Sequence, residues 1–401
     1  ATIVGKDGLE RSYDLTLQGK DGCRLQLSTA DGQYKATVAQ VDPVDGQDLI
    51  LSISADMQQR AYYLMASEVE SSQTGVSIVM DGQTGFVEAM VSWPGYDPNA
   101  FTGGISATEY EELTREDGQL PLFSRATMGL YPPGSLFKPF TIVPALEEGV
   151  ISKNTVFPYE VHGNQWQPDD DAWVWPPITR NEKPDGPLDL DTALRFSDNI
   201  YFGWVAMRLG EEKFMDYMEK IGIGERMPFD ISTAKSNLIN DGTEINRKLL
   251  TDMSFGQGEV LVTPIQIASY YTAFQNEGDV MQPQMVKEIR ANVDGDYTAV
   301  ETREPTVYKE DIMEPYTLTT VVRSLKNVVL SGTAQSLEMD ERTLAAKTGT
   351  ALKGAEKDQK IAWIVGWWED HEDCRLALVM IDGPRGVTDH RHRIARALLK
   401  P

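Results

Sequence analysis

The chain has 401 residues, 41% hydrophobic and 24% charged, enough to bury a substantial core in two domains, one of them large. Its 61 acidic and 37 basic side chains leave a net charge of −24 (37 − 61), a surface that repels phosphate backbones and anionic lipid headgroups and argues against nucleic-acid binding. No apolar run approaches the roughly 18 residues that span a bilayer, and the opening ATIVGKDGLE has neither the basic start nor the apolar stretch of a signal peptide, so a membrane anchor, if the protein uses one, is expected outside this chain.

Residues 1–72 are rich in Gly, Asp and Gln and carry short alternating runs, CRLQLS and YKATVAQV, which predict strands of a small β-rich N-terminal linker or pedestal. In DLILSISADMQQRAYYLMASEV the period changes from two to about 3.6, predicting a strand and then a helix capped around Ser54. TGVSIVMD and GFVEAMVSW, joined by GQT, predict a hairpin whose nearly continuous apolar character suits a sheet covered on both faces. Helical patterns follow, including LDLDTALRFSDNIYFGWVAMRLG and TPIQIASYYTAFQNEG. The chain then returns to strands in TLAAKTGTALK, QKIAWIVGWWE and DCRLALVMIDG, and ends in the helix-like VTDHRHRIARALL. Strands at both ends with helices between predict one α+β domain over residues 73–401, its sheet assembled from distant segments. Cys23 and Cys374 form no CxxC and are read as two unpaired thiols, the second on a buried strand.

The chemistry concentrates at YPPGSLFKPFT, where Gly134 permits a sharp turn before Ser135 and Lys138, three residues apart and so on one helical face at the positive end of a helix. Pro139 fits only within a first turn, which places the helix start at or just after the serine. A serine is a weak nucleophile until its proton is removed, and a lysine removes it only when neutral. With a free pKa of about 10.4, Lys138 needs a drop of roughly 3 units, about 4 kcal/mol against its charged form, from burial and a second nearby cation. Taken alone, SxxK is a capping serine beside a solvated lysine. FSDNIYF adds Ser197, Asp198 and Asn199, and LAAKTGTALK adds Lys347, Thr348, Gly349 and Thr350. Ser197 can relay a proton between Lys138 and a leaving group, Asn199 can hold Lys138 or a substrate amide, and Lys347 supplies the second cation. Thr348 and Thr350 share a strand face, while Gly349 leaves room for a substrate against the strand. The N–H groups of Ser135 and Thr350 suit an oxyanion hole.

In this order the three elements resemble the SxxK, SDN and KTG motifs of class B penicillin-binding proteins, the serine D,D-transpeptidases of cell-wall synthesis. The likeness runs from GLERSYD at Gly8 through QTGFVEAMVSWPGYDPNAF to SFGQGEVLVTPIQIASYYTAFQNEG. FSDNIYF, the run Gly256 to Glu259 and NQWQPDDDAWVWPPITR point to the low-β-lactam-affinity, methicillin-resistance-type subclass. The resemblance implies an α+β transpeptidase domain of the serine β-lactamase type, an antiparallel sheet with flanking helices, at the outer face of the cytoplasmic membrane. It implies Ser135 as acylated nucleophile, Lys138 as base, and Ser197 and Asn199 as the second catalytic element, with Asp198 between them placed among the substrate-binding and oxyanion residues. Lys347, Thr348 and Thr350 would bind the donor's terminal carboxylate. Peptidoglycan stem peptides, β-lactams covalent at Ser135, and a glycosyltransferase or other cell-wall synthesis protein are the expected partners; no cofactor and no metal is expected. Ala346 stands where family members often have glycine, and its methyl is expected to narrow the approach to the strand.

Competing readings are a D,D-carboxypeptidase, a β-lactam sensor or inactive scaffold, and a β-lactamase; the last lacks its ExxLN element in MPFDISTAKSNLINDGTEI. Asp389 to Arg393, DHRHR, offers two histidines but reads better as a solvated turn or helix start than as a metal site. Asp169, Asp170 and Asp171 read as a solvated loop. Trp166, Trp173 and Trp175 suit either a substrate groove or core packing. Glu10 is an exposed charge or an anchoring ion pair.

Overall fold

The computed structural model describes residues 4–115, 118–168, 173–293, 295–340, 342–354, 356–368 and 374–400. The chain forms two compact units: Ala1–Ser52 with Phe229–Ser232 and Gln284–Glu304, and Ile53–Pro228 with Thr233–Pro283 and Pro305–Pro401. The first segment of the small unit ends at Ser52, the small unit recruits two later segments, and the helix that follows Ser52 belongs to the larger unit.

The small unit begins with two short helices, Gly8–Ser12 and Asp14–Leu17, where only strands were expected. The runs Cys23–Ser28 and Tyr34–Val41 do pair as an antiparallel hairpin, with both strands exposed along their length. Asp48–Leu51, Val286–Val293 and Asp296–Thr302 make an antiparallel three-stranded sheet. Its anchor is Asp230, which accepts from Tyr13 Oη at 2.5 Å, Arg303 at 2.7 Å and the Val286 N–H at 3.1 Å. A nearly buried carboxylate needs such partners. Glu10 is exposed.

The large unit is built on a five-stranded antiparallel sheet. Its strands are β1 (Thr74–Asp81), β2 (Val87–Trp93), β3 (Leu344–Lys353), β4 (Gln359–Trp368) and β5 (Arg375–Pro384), in spatial order β3-β4-β5-β1-β2. The pairing of β5 with β1 closes the predicted sheet from segments almost 300 residues apart in sequence. β3 is an edge strand, so one row of its backbone groups has no strand partner.

Seven helices matter here: α1 (Ala55–Glu68), α2 (Lys138–Glu147), α3 (Leu190–Arg195), α4 (Asn199–Leu209), α5 (Pro264–Thr272), α6 (Pro315–Ser331) and α7 (Arg391–Leu399). Ser54 caps α1, accepting the Met57 N–H at 3.3 Å. Helices cover both faces of the sheet, and β4 shows how its sequence allows it. Trp367 stacks on Phe274 just beyond α5 (5.7 Å between ring centroids), and Trp363 Nε1 donates to Pro132 O at 3.0 Å. On the alternate face Trp368 Nε1 donates to Leu399 O at 2.9 Å, and a Cβ at Gly366 would lie 3.1 Å from Leu337 and from Leu399. A strand buried on both faces must be apolar at odd and even positions alike. Cys374 is buried at the start of β5, while Cys23 is exposed. No helix among the described residues is long and apolar enough to cross a membrane.

Candidate active site

Gly134–Leu136 forms a 3₁₀ turn and α2 starts at Lys138, which puts Pro139 in the first turn, where a missing N–H costs nothing. Ser135 therefore sits just before the helix, half-buried, at the wall of a cavity. Three glycines fix its turn. Gly134 has φ +54° and its N–H donates to Gly256 O at 2.8 Å. A Cβ on Gly256 would lie 2.2 Å from Gly134 O, one on Gly134 2.8 Å from Thr350 O, and one on Gly349 3.0 Å from Pro133 O. Backbone packs on backbone at contacts no side chain permits. Gly349 was expected to make room for substrate; its bare face is instead filled by the serine turn. From behind, Tyr271 Oη donates to Leu136 O at 2.7 Å in a buried setting.

Lys138 Nζ is fully buried and has three oxygen neighbours: Ser197 O at 2.6 Å, Asn199 Oδ1 at 2.7 Å and Ser197 Oγ at 3.2 Å. Because a lysine donates and the amide oxygen accepts, Asn199 turns its oxygen to the amine, and its Nδ2 donates to Thr179 O at 3.1 Å. Among the described residues no hydrogen bond joins the Ser135 hydroxyl to Lys138. Lys347 Nζ, also fully buried, donates to the same Ser197 Oγ at 2.8 Å and to Thr348 O at 2.9 Å. Burial pushes Lys138 from 10.5 down to about 7, against an opposing pull from the Asp198 charge. Burial also holds Lys347 well below its usual value, helped by Lys138 and Arg391. Burial thus makes a neutral Lys138 amine accessible near neutrality, and any charge Lys138 carries disfavours charge on Lys347.

Ser197 has φ +56°, a left-handed conformation uncommon outside glycine, asparagine and aspartate. The break between α3 and α4 imposes it, and Asp198 stabilises the break. Its carboxylate caps α4, accepting the N–H groups of Ile200 at 2.8 Å and Tyr201 at 3.0 Å, and pairs with buried Arg180 at 3.4 Å. Asp198 was expected among the substrate-binding residues; it is buried, occupied by these partners, and absent from the cavity wall. It holds its two neighbours in place.

On β3, alternation sends Lys347 and Gly349 to the face of the serine turn and Thr348 and Thr350 to the face of α7. Both threonines reach the cavity from this edge. Thr348 Oγ1 is 2.7 Å from Thr333 Oγ1, and Arg391 donates to Gly349 O at 3.1 Å and to Thr350 Oγ1 at 3.4 Å. Ala346 is fully buried and pairs in register with Gly366, whose open side faces Leu337 and Leu399. The methyl thus points to the α7 layer and does not narrow the approach to Lys347.

The cavity measures about 1030 Å³ and is walled by Ser135, Ser197, Asn199, Thr348, Gly349 and Thr350, with the Pro176–Ile178 segment on one side and Arg391 and His392 on the other. A smaller cavity of about 240 Å³ beside Arg342 and Leu344 holds none of the motif residues. DHRHR is a helix start, as expected, with Arg393 exposed and the other four residues half-buried. Asp389 pairs with Lys360 at 2.8 Å and Arg391 at 3.3 Å, and His392 Nδ1 lies 2.7 Å from Ser336 Oγ. No cluster able to hold a metal occurs among the described residues. Trp166 and Trp173 are buried, Trp166 against Phe157 at 5.0 Å and Trp173 against Trp175 at 5.4 Å, so the packing reading applies and the cavity wall begins just after them. Asp169, Asp170 and Asp171 lie outside the described residues. Thr333, Gly256 and Arg391 were missed as site residues. Only Arg391 and Gly256 stood in runs that drew notice, and neither run revealed a role.

The family described as Penicillin binding protein transpeptidase domain matches residues 75–400, and the Penicillin-binding Protein dimerisation domain matches residues 1–51. Penicillin-binding protein 3 of Bacillus subtilis is 29% identical over 94% of this chain and 53% of its own length. Peptidoglycan D,D-transpeptidase MrdA of Haemophilus influenzae is 32% identical over 88% of this chain and 54% of its own length. The chain spans about half the length of the curated relatives it matches. Pseudomonas aeruginosa PBP2, whose crystal structure is in complex with WCK 5153, matches with a TM-score of 0.75 and 26% identity over 98% of this chain and 82% of that one.

Proposed function

The chain belongs to the class B penicillin-binding proteins, with a transpeptidase domain preceded by a dimerisation region, and from that premise we propose that it is a peptidoglycan D,D-transpeptidase working through a Ser135 acyl-enzyme. The observation that carries this reading is the shared hydroxyl: Ser197 Oγ stands 3.2 Å from one buried amine, Lys138, and 2.8 Å from another, Lys347, beside the clamped Ser135 turn. Neutral Lys138 takes the Ser135 proton as Oγ attacks the penultimate D-Ala carbonyl. The N–H groups of Ser135 and Thr350 hold the oxyanion. The proton passes from Lys138 through Ser197 to the departing D-Ala amine, breaking the amide bond. An amine of a second stem peptide then attacks the ester, returns Oγ–H to Ser135 and leaves a cross-link. Thr348 and Thr350, which reach the cavity, bind the donor's terminal carboxylate, with Lys347 behind them on Ser197 Oγ and the Arg391 charge beside them in a chain of net charge −24. A β-lactam acylates the same serine.

Two finer readings belong to this proposal. Low β-lactam affinity is supported by the FSDNIYF, Gly256–Glu259 and Trp-rich segments, and by a Lys138 amine already engaged by Ser197 and Asn199 and not hydrogen-bonded to Ser135. Acylation then begins with a local rearrangement and is slow. The working place is the outer face of the cytoplasmic membrane, with a glycan-polymerising enzyme as partner.

The test is incubation with a stem-peptide donor, with and without an acceptor amine, followed by mass spectrometry. Cross-linked product supports the transpeptidase. Release of D-Ala to water alone identifies a carboxypeptidase, and a stable acyl-enzyme without turnover identifies a sensor.

A further inference from the structure

The cavity continues along β3 beyond the catalytic threonines. Thr348, Thr350 and Leu352 share one strand face and all reach its wall, a span of about 13 Å at strand spacing. An extended donor with its terminal carboxylate at Thr348 lays its upstream residues toward Leu352, against the free edge of the sheet.

At that far end the wall turns cationic. Lys360 and Arg391 line it but share Asp389. On the opposite side Lys248 is paired with Asp252. Lys357 and Arg385 also line the cavity, are exposed, and have no ion-pair or side-chain hydrogen-bond partner among the described residues. Their positions are set by backbone. Lys357 has φ +52° in the β3–β4 turn and donates its N–H to Gly354 O at 3.1 Å, while the Arg385 N–H donates to Asp358 O at 2.6 Å just past β5. The flanking Glu356 and Asp358 do not line the cavity; Glu182 and the paired Asp252 do. Two unpaired cations at one end of a cleft, in a chain of net charge −24, make a local reversal of the molecular field.

We infer that Lys357 and Arg385 form a second anion subsite, which takes a free carboxylate on the acyl side of the donor, one or more residues upstream of the acylated D-alanine. This rests on the transpeptidase reading of the same cleft. It makes the enzyme select stem peptides carrying a free side-chain carboxylate over those in which that group is an amide.

The test uses two penicillins that differ only in a carboxylate or a carboxamide at the end of the acyl side chain. Second-order acylation rate constants are measured by intact mass. The native chain should react about fivefold faster with the carboxylate at low salt, as expected of two half-solvated ion pairs, with the ratio shrinking as salt is raised. In the Lys357→Gln, Arg385→Gln double variant the ratio should fall to about one through loss of the carboxylate probe's advantage. A native ratio of one, a ratio that survives the double substitution, or an equal slowing of both probes overturns the subsite. Failure of either penicillin to label the folded native chain instead sinks the reading on which the subsite depends.

Discussion

Lys347 reaches across from the sheet to donate to Ser197 Oγ at 2.8 Å, the hydroxyl that also stands 3.2 Å from Lys138. One hydroxyl thus separates two buried amines, neither able to hold a proton without affecting the other. Ser197→Ala keeps an L-residue at the left-handed φ and removes only this bridge. Acylation by penicillin should fall roughly 100- to 10,000-fold, the usual size of a lost proton-transfer group, with the melting temperature little changed. Stopped-flow or intact-mass kinetics read the effect; a loss below threefold removes Ser197 from the relay.

Lys138 also predicts a pH dependence of stability. Its folded pKa of about 7 lies below the ordinary 10.5, so between those values the unfolded chain binds more protons than the folded one. Stability, the free energy of unfolding, therefore rises with pH through this window, by up to about 1.4 kcal/mol per pH unit for each such group. Below pH 7 the buried amine costs about 5 kcal/mol relative to an unperturbed lysine. Urea unfolding between pH 7 and 9 should show the rise, and Lys138→Met should reduce its slope. Equal slopes in both proteins would mean that the amine is not depressed.

The Asp198–Arg180 pair yields an opposite pair of effects. Asp198→Asn keeps an oxygen for the α4 cap but leaves buried Arg180 without its carboxylate, which should cost about 3–5 kcal/mol. It also removes the charge that raises Lys138, so the acidic limb of the acylation pH profile should move to lower pH. If the limb stays put while stability falls, Asp198 acts on the fold alone.

Gly256 tests the clamp on the nucleophile turn. Gly256→Ala adds a Cβ 2.2 Å from Gly134 O, whereas Gly149→Ala, at a similar positive φ of +64°, meets open space. Both incur backbone strain of roughly 1 kcal/mol, so only the first should also lose penicillin labelling, by 100-fold or more. Circular dichroism confirms folding, and similar labelling in the two variants would remove the clamp.

What could be read before the fold was known divides along a physical line. The SxxK, SDN and KTG runs announce themselves because each packs its chemistry into three or four adjacent residues. The need for a depressed Lys138 follows from elementary acid–base chemistry, and Pro139 placed the start of α2. The nearly continuous apolar runs gave the strands of the large sheet, as expected of strands covered on both faces. Gly256 against Gly134, Thr333 beside Thr348 and Arg391 on Gly349 O are contacts between segments 15 to 122 residues apart. No local pattern encodes them. Asp198 illustrates the converse: it stands inside a catalytic motif, yet its position at the start of α4 commits it to capping.

The most direct measurement is the intact mass of the chain after exposure to benzylpenicillin, with peptide mapping of the adduct. The native protein should gain one penicilloyl group, carried on the Ser135 peptide, and Ser135→Ala, folded and otherwise intact, should gain none. An adduct on the alanine variant at the native rate, or on a different residue of the native chain, would contradict the assignment of Ser135 as the nucleophile.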